Sequence, residues 1–267
     1  MNNRASASSP VRPYRHHQRG RVRPALILLL CLALAPTCKA GLKLYFLRHA
    51  EAGHNVLQEW QTIPRDQWPA YVGNPDAFTP KGITQVSACT RKLKEHRFDF
   101  IAVSPTWRTR NTVAPYLRET AQVAEVWPEL LEFGSLDQQH DFDPLPPPSP
   151  NLFAGDPIRL AQADATLFKL REDGHRHFKL SQSPAQKAAD RWAVVQKDIA
   201  LIQKRFGGSD KSILLVSHGN LGCLLLEALT GNRGLLQANL LNTSLWMAEE
   251  QVDNTFKLRL LNDSLVQ

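Results

Sequence analysis

The sequence predicts a layered α/β domain built around a mostly parallel sheet. Short apolar runs alternate with segments of helical periodicity over residues 41–267, which is the pattern of strands joined by crossover helices. With 267 residues, 43% of them hydrophobic, the chain is long enough to bury a core without disulfide or metal support. This composition excludes a disordered chain, a collagen and a coiled coil.

The excess positive charge lies in the first 40 residues. The chain has 32 Lys and Arg against 25 Asp and Glu, a formal net charge of +7. Residues 1–40 hold seven of the basic residues and no acidic residue, which leaves 25 of each sign in 41–267. The part after residue 40 is therefore formally neutral, and we expect no nucleic-acid partner.

Residues 1–40 have the order of a secretory signal peptide. An Arg-rich stretch at 1–24 precedes an apolar run at 25–35 and a small-residue site that ends at Ala40. The apolar run is too short to span a bilayer. We expect cleavage before Gly41, a secreted or periplasmic location and no stable membrane span in the mature chain. An uncleaved anchor, or a cytosolic protein with a misplaced start codon, is the alternative.

Two smaller features depend on that location. Without residues 1–40 the chain keeps Cys89 and Cys223, both in helical patterns where a cysteine is ordinarily a small buried apolar side chain. Two segments, 242–244 and 262–264, match the N-glycosylation acceptor pattern. The pattern matters only in a eukaryotic secretory pathway.

The first half of the domain alternates strands with capped helices. The compact apolar run 42–47 predicts a buried strand. Thr79 can cap a helix that begins at Pro80 and whose amphipathic pattern extends to about residue 97. The next predicted elements are a strand at 98–104, a helix at about 107–119 and a strand at 123–127.

The second half ends in a predicted antiparallel hairpin. A capping box at 183–186 opens a long helix, and two glycines stop that helix after Phe206. The remaining predicted elements are a strand at 213–217, a helix at 221–230 and two strands, 244–250 and 256–261, around the turn 253–254.

The alternation breaks between residues 134 and 183. Six prolines within 144–157 prevent regular pairing there, and the segment is too long for an ordinary connection. It is either a disordered linker or a Pro-rich inserted lid over a site. Apolar side chains that can pack, among them Phe142 and Phe153, favour the lid. Helical spacing resumes at about 158–171.

Reactive side chains follow four of the predicted strands. They are Arg48, His49 and Asn55 after the first strand, Arg108 after the second, Glu132 after the third and His218 after the fourth. The carboxyl ends of parallel strands form one rim of an open sheet, where ligands bind. We therefore expect two histidines, two arginines and a carboxylate to meet at this rim.

Such a cluster suits phosphoryl transfer. A neutral imidazole nitrogen can attack phosphorus and hold the phosphoryl group covalently, and cationic neighbours keep a histidine neutral by lowering its pKa. The guanidinium group of arginine presents two N–H donors in a geometry that matches two phosphate oxygens. A carboxylic acid can protonate the leaving alkoxide, which is worth about 10²–10⁴ in rate. None of these steps uses a metal or cofactor, and we expect neither.

The chain also contains four motifs in order. They are Arg48-His49-x-Glu51, Thr79-x-x-Gly82-x-x-Gln85, Ser104-Pro105-x-x-Arg108-Thr109 and Ser217-His218-Gly219-Asn220. Together they resemble the motifs of the histidine phosphatase superfamily, in its phosphoglycerate mutase-like branch. The resemblance runs from about residue 42 to 261 and implies a three-layer α/β/α fold. Four motifs at the right strand ends make it specific.

The resemblance implies a role for each site residue. The implied catalytic residues are His49 as the phosphorylated nucleophile, Glu132 as the proton donor, and His218. The implied phosphate-binding residues are Arg48, Asn55, Arg108 and His218. Glu129 is a second carboxylate that could be the donor, and the Leu-x-Glu spacing favours Glu132. We expect Thr79, Gly82 and Gln85 to start and pack a helix.

The expected function is that of a metal-independent phosphomonoesterase acting through a phosphohistidine on a small phosphorylated substrate. The alternatives are a phosphoglycerate mutase-type isomerase and an inactive phosphate-binding protein. The residues after Glu132 lack the run that follows this glutamate in glycolytic mutases, which disfavours the isomerase. Gly219 stands where the acid phosphatase branch has Asp, and Ala50 stands where the family usually has Gly.

Overall fold

The computed structural model describes residues 41–132, 157–176, 184–237 and 239–266. By its internal contacts the chain divides into Met1–Cys38 and Lys39–Gln267, and only the second unit contains described residues. The predicted leader, 1–40, lies outside the described residues. So does most of the predicted lid at 134–183, of which only 157–176 is described.

Within the described residues, eight strands form one sheet. They are β1 (Lys43–Arg48), β2 (Phe100–Val103), β3 (Ala124–Val126), β4 (Phe168–Leu170), β5 (Ser212–Ser217), β6 (Leu245–Glu250), β7 (Phe256–Leu261) and β8 (Ser264–Leu265). Their order across the sheet is β4-β3-β2-β5-β1-β6-β7-β8. Neighbouring strands from β4 to β1 are parallel, whereas those from β1 to β8 are antiparallel. The predicted mostly parallel sheet and the C-terminal hairpin are confirmed.

The α-helices of the described residues are α1 (Leu57–Trp60), α2 (Pro80–Leu93), α3 (Trp107–Thr120), α4 (Pro184–Phe206) and α5 (Gly219–Thr230). Helix α2 begins as predicted, since the Thr79 side chain accepts a hydrogen bond from the Gly82 main-chain nitrogen at 3.0 Å. Helix α5 ends at Gly231, which has a φ of 70°. No helix in these parts of the chain is both long and apolar enough to cross a membrane.

Alternating side chains of the sheet face two separate cores. On β5, Ile213 and Leu215 are buried in a cluster with residues of α4 and α5, whereas Leu214 and Val216 are buried in a cluster with residues of α2 and α3. A strand with apolar residues on both faces needs a helical layer on each side. The predicted three-layer α/β/α architecture is confirmed.

The helical periodicity at about 158–171 does not produce a helix of that length. A single 3-10 turn, Gln162–Asp164, precedes the strand Phe168–Leu170, which pairs with β3 through Ala124 opposite Phe168. The edge of β3 that does not pair with β2 forms main-chain hydrogen bonds with this segment. Phe168 is also buried, with 2% of its surface exposed. Pairing with a distant strand therefore overrides the local pattern.

Strand β5 brings the predicted site residues together. It pairs with β1 on one side, with Arg48 opposite Ser217, and with β2 on the other. Beyond these pairs, the main-chain nitrogen of His49 donates to Ser217 O at 3.0 Å and that of Ser104 donates to Val216 O at 2.9 Å. His49, Ser104 and His218 therefore leave the sheet side by side.

Candidate active site

His49 follows β1 and is only 2% exposed. Its Nδ1 lies 2.7 Å from the main-chain oxygen of Ala50. A carbonyl oxygen can only accept, so Nδ1 carries the hydrogen and Nε2 the lone pair. Arg108 Nε donates to this Nε2 at 3.3 Å. Burial first, and then the charge of Arg108, hold the pKa of His49 well below its usual value of 6.5. The imidazole is therefore neutral, with its lone pair on Nε2.

His218 faces His49 across the pocket. The ring centroids are 5.2 Å apart with the planes at 65°. The Nη2 of Arg108 donates to Nδ1 of His218 at 3.2 Å, so Nε2 carries the hydrogen and donates to Ser104 Oγ at 2.9 Å. Burial, followed by the charge of Arg108, holds the pKa of His218 well below its usual value. One guanidinium therefore bridges the lone-pair nitrogens of two neutral imidazoles.

Two arginines supply the positive charge of the pocket. Arg108 lies in the first turn of α3 and is 2% exposed. Burial lowers the pKa of Arg108 to about 10, while Glu132 and Asp76 oppose this effect, so the side chain stays cationic at neutral pH. Arg48 donates through Nη1 to Leu240 O. Its Nε is buried without a hydrogen-bond partner among the described residues, and an added Cβ at Gly219 would lie 3.3 Å from this atom.

The structure separates the two candidate carboxylates. Glu129 is fully buried, and its two oxygens accept from Arg171 at 2.8 and 2.7 Å. Lys197 Nζ lies 3.1 Å from the same carboxylate. Burial favours the neutral acid, but the hydrogen bonds and charge of Arg171 outweigh burial and lower the pKa of Glu129. Glu129 is therefore an ionised member of a structural ion pair and not a proton donor.

Glu132 lies at the pocket. Its Oε2 accepts from the main-chain nitrogen of Asn220 at 3.3 Å, in the first turn of α5. When ionised, Glu132 also acts on both arginines, because burial lowers the pKa of Arg48 and of Arg108 and the Glu132 charge opposes this lowering. A carboxyl group beside two arginines can give or take a proton at this place.

Asn55 makes local contacts in the loop after β1. Its Oδ1 accepts from the main-chain nitrogen of Ala52 at 3.0 Å, and its Nδ2 lies 3.2 Å from His54 Nε2. The ring centroid of His54 is 5.5 Å from that of His49, and His54 adds to the lowering of the His49 pKa. Asn55 therefore orients His54 beside His49, and its predicted contact with phosphate stays a prediction.

The motif around Thr79 holds the loop after β1, which contains His49 and Glu51, against α2. Thr79 Oγ1 donates to one Glu51 carboxylate oxygen at 2.8 Å and Lys81 Nζ donates to the other at 2.7 Å. The Glu51 main-chain nitrogen donates to Gln85 Oε1 at 2.8 Å. A Cβ at Gly82 would lie 2.0 Å from the Glu51 carbonyl oxygen, so the close approach of helix and loop requires glycine.

Sequence reasoning gave no role to three residues at the site. Thr112 Oγ1 accepts from the Ala50 main-chain nitrogen at 2.9 Å and donates to Arg108 O at 2.7 Å. Asn242 Nδ2 donates to His49 O at 2.8 Å. The charge of Asp76 opposes the lowering of the Arg108 pKa by burial. Thr112 lies one helical turn after Arg108, and this spacing could have indicated that it lies near the site. Nothing in the sequence indicated Asn242 or Asp76.

Two neutral imidazoles and two arginines therefore meet at one end of the sheet, a set of side chains that suits an enzyme acting on phosphate groups. The chain belongs to the histidine phosphatase superfamily (branch 1), whose family model matches residues 44–264. The predicted family is confirmed, and the chain is a histidine phosphatase by that membership. No curated protein matches the chain. In the described residues, no three His, Cys, Asp or Glu side chains are placed to share a metal ion.

Several solved structures share the fold. A mycobacterial glucosyl-3-phosphoglycerate phosphatase in complex with VO3 is 20% identical with a TM-score of 0.53, covering 83% of this chain and 99% of that chain. A putative alpha-ribazole-5′-P phosphatase from Escherichia coli K-12 is 19% identical with a TM-score of 0.52, covering 85% and 98%. The alpha-ribazole phosphatase from Shigella flexneri is 19% identical with a TM-score of 0.51, covering 84% and 98%.

Proposed function

We propose that the protein is a metal-independent phosphomonoesterase that acts on a small phosphorylated substrate through a phosphohistidine at His49. The observation that carries this proposal is the neutral His49 imidazole, whose Nε2 lone pair meets Arg108 at 3.3 Å inside a buried pocket. A neutral nucleophile among cations is what attack on an anionic phosphate ester requires. The three similar structures, a glucosyl-3-phosphoglycerate phosphatase and two alpha-ribazole phosphatases, support the same substrate class.

In the first step, His49 Nε2 attacks phosphorus in line with the leaving group. The nitrogen–phosphorus bond forms as the bond from phosphorus to the alcohol oxygen breaks. That oxygen keeps the electron pair and takes a proton from Glu132, which begins the step as the neutral acid. Arg48 and Arg108 stabilise the phosphoryl oxygens, where one charge contact at 4 Å near a protein surface is worth about 4 kcal/mol.

In the second step, water attacks the phosphorus atom of phosphohistidine. The Glu132 carboxylate takes a proton from this water, the nitrogen–phosphorus bond breaks, and the electron pair returns to Nε2. Inorganic phosphate leaves, and both His49 and Glu132 regain their starting protonation states. The His218 imidazole becomes a further phosphate contact in this scheme when its Nδ1 takes up a proton, because its one N–H otherwise donates to Ser104 Oγ.

The test is hydrolysis of p-nitrophenyl phosphate with a chelator present, by the wild-type protein and by His49→Ala. We expect the chelator to leave the rate unchanged and His49→Ala to abolish it. His175→Ala is the matched control, because His175 is exposed and should keep the wild-type rate. Loss of activity with the chelator, or full activity of His49→Ala, contradicts the proposal. Conversion of 3-phosphoglycerate above the phosphatase background would instead indicate a mutase.

We also propose that residues 1–40 direct the chain into a secretory pathway. The support is the order of a basic region, a short apolar run and a small-residue site in the sequence. Sequencing the N-terminus of the exported protein should give a chain that starts at Gly41. A chain that keeps residues 1–40 would support the anchored or cytosolic alternative.

A further inference from the structure

The loop 240–244, which leads into β6, surrounds the two residues Arg48 and His49. The Thr243 main-chain nitrogen donates to Arg48 O at 3.0 Å, and the Arg48 main-chain nitrogen donates to Ser244 O at 3.3 Å. Arg48 Nη1 donates to Leu240 O. One side chain of this loop forms a hydrogen bond with His49. It is that of Asn242, whose Nδ2 donates to the His49 carbonyl oxygen at 2.8 Å.

The peptide unit between His49 and Ala50 is held at both of its polar atoms. Its carbonyl oxygen accepts from Asn242 at 2.8 Å, and its N–H donates to Thr112 Oγ1 at 2.9 Å. A peptide unit is planar and includes the Cα atoms on both sides. Two hydrogen bonds from opposite sides therefore fix this plane, together with the Cα that carries the His49 imidazole.

The backbone of Thr243 is unusual. Its φ is 58°, in the left-handed region that a β-branched residue rarely adopts. Thr243 lies just before Leu245, which pairs with Leu47 at the end of β1 and β6, and its conformation brings the loop around the end of β1. Strained backbone of this kind persists where surrounding contacts enforce it, often at functional sites.

Two other elements contact the loop 240–244 and hold it in this conformation. Lys92 of α2 donates through Nζ to Thr243 O and to both carboxylate oxygens of Asp263, at 2.8 and 2.9 Å. Asn262 Oδ1 accepts from the main-chain nitrogen of Leu241 at 3.1 Å. The loop is thereby tied to α2 and to the turn between β7 and β8, which makes it a rigid support for the Asn242 amide.

We propose that Asn242 is a positioning residue that holds the His49 imidazole in line for phosphoryl transfer. This inference rests on the proposed function, because it concerns phosphorylation of His49. The Asn242 amide acts through the main chain of the nucleophile and binds no substrate. A nucleophile displaced by about 1 Å can lose about 10²-fold in rate, so loss of this hydrogen bond should slow the chemical step more than it weakens binding of the phosphate group.

The experiment compares Asn242→Asp with Asn242→Ala. Aspartate has the shape of asparagine but cannot donate to the His49 carbonyl, and alanine removes the amide without adding charge. Asn254→Asp is the matched control, since Asn254 is an exposed asparagine in the β6–β7 turn, at the other end of β6. The readouts are the rapid-quench rate of His49 phosphorylation from a radiolabelled substrate, the affinity for inorganic phosphate, and the melting temperature.

Both Asn242 variants should phosphorylate about 10- to 100-fold more slowly than the wild type. We expect Asn242→Ala to bind inorganic phosphate, a ground-state ligand, within about threefold of the wild type, as for an interaction that matters only in the transition state. Asn254→Asp should match the wild type throughout. Wild-type phosphorylation rates in both Asn242 variants would overturn this inference and leave the proposed function standing. A loss of phosphate affinity or of folding stability as large as the loss of rate would overturn it too. Absence of label on wild-type His49 overturns the proposed function and this inference with it.

Discussion

The Nε atom of Arg108 donates a hydrogen bond at 3.3 Å to Nε2 of His49, the atom that we expect to receive the phosphoryl group. Once Nε2 bonds to phosphorus it has no lone pair left to accept. Arg108 must then direct the same donor at a phosphoryl oxygen. Burial and the charge of Arg108 thus keep His49 neutral before the reaction, and we expect Arg108 Nε to contact phosphate during the reaction.

Replacement of Arg108 tests this double role. We expect Arg108→Ala to lower kcat/KM for p-nitrophenyl phosphate by about 10²-fold or more, the usual cost of losing a charge-stabilising donor, and to weaken inhibition by inorganic phosphate. Steady-state kinetics with phosphate as inhibitor measure both effects. Arg118→Ala is the control, since Arg118 is exposed on the same helix. Unchanged phosphate inhibition would remove Arg108 from the pocket.

The buried histidines should make folding stability depend on pH below about 6.5. The folded-state pKa of His49 lies below the unfolded value, so on acidification the unfolded chain binds a proton first. Stability therefore falls as pH drops from 6.5 toward the folded-state pKa, by up to about 1.4 kcal/mol per pH unit for one histidine.

Denaturant unfolding of the wild type and of His49→Gln at several pH values between about 5 and 7 checks this sign. The variant keeps one of the two depressed histidines, His218, so its stability should fall less steeply with acidification than that of the wild type. Equal slopes for the two proteins would show that His49 titrates alike in the folded and unfolded states.

Glu132→Gln should distinguish substrates by their leaving groups. An alkoxide leaves poorly without a proton, whereas a nitrophenolate leaves well by itself. We expect Glu132→Gln to slow alkyl phosphates about 10²–10⁴-fold and p-nitrophenyl phosphate much less. Asp76→Asn is the comparison, because Asp76 also acts electrostatically on Arg108. Equal losses on both substrates with Glu132→Gln would assign proton donation to another group.

The ion pair between Glu129 and Arg171 should matter for stability rather than for proton transfer. Glu129→Gln leaves the Arg171 guanidinium, 7% exposed, without its main partner, and we expect a loss of about 3–5 kcal/mol. Lys94→Ala, which breaks the half-exposed pair between Lys94 and Glu119, should cost less than about 1 kcal/mol. Denaturant unfolding gives both values. Similar losses for the two variants would mean that burial adds nothing to the Glu129 pair.

Much of the fold was predictable because its signals are local. The parallel strands that carry the site are short runs of apolar residues buried on both faces, and α2 begins with a capping threonine followed by proline. Strand β4 was not predictable, because its three residues become a strand only by pairing with the open edge of β3. A segment with helical spacing has no local signal for such a partner.

The sequence by itself determined which residues follow each strand, and hence that His49, Arg108 and His218 would share one rim of the sheet. Tertiary structure decided what holds them there. The Asn242 amide meets the His49 carbonyl across 193 positions of sequence, and Arg171, which follows β4, engages Glu129 and leaves Glu132 at the pocket. Periodicity and caps are read from neighbours along the chain, whereas hydrogen bonds between distant segments exist only after the strands have paired.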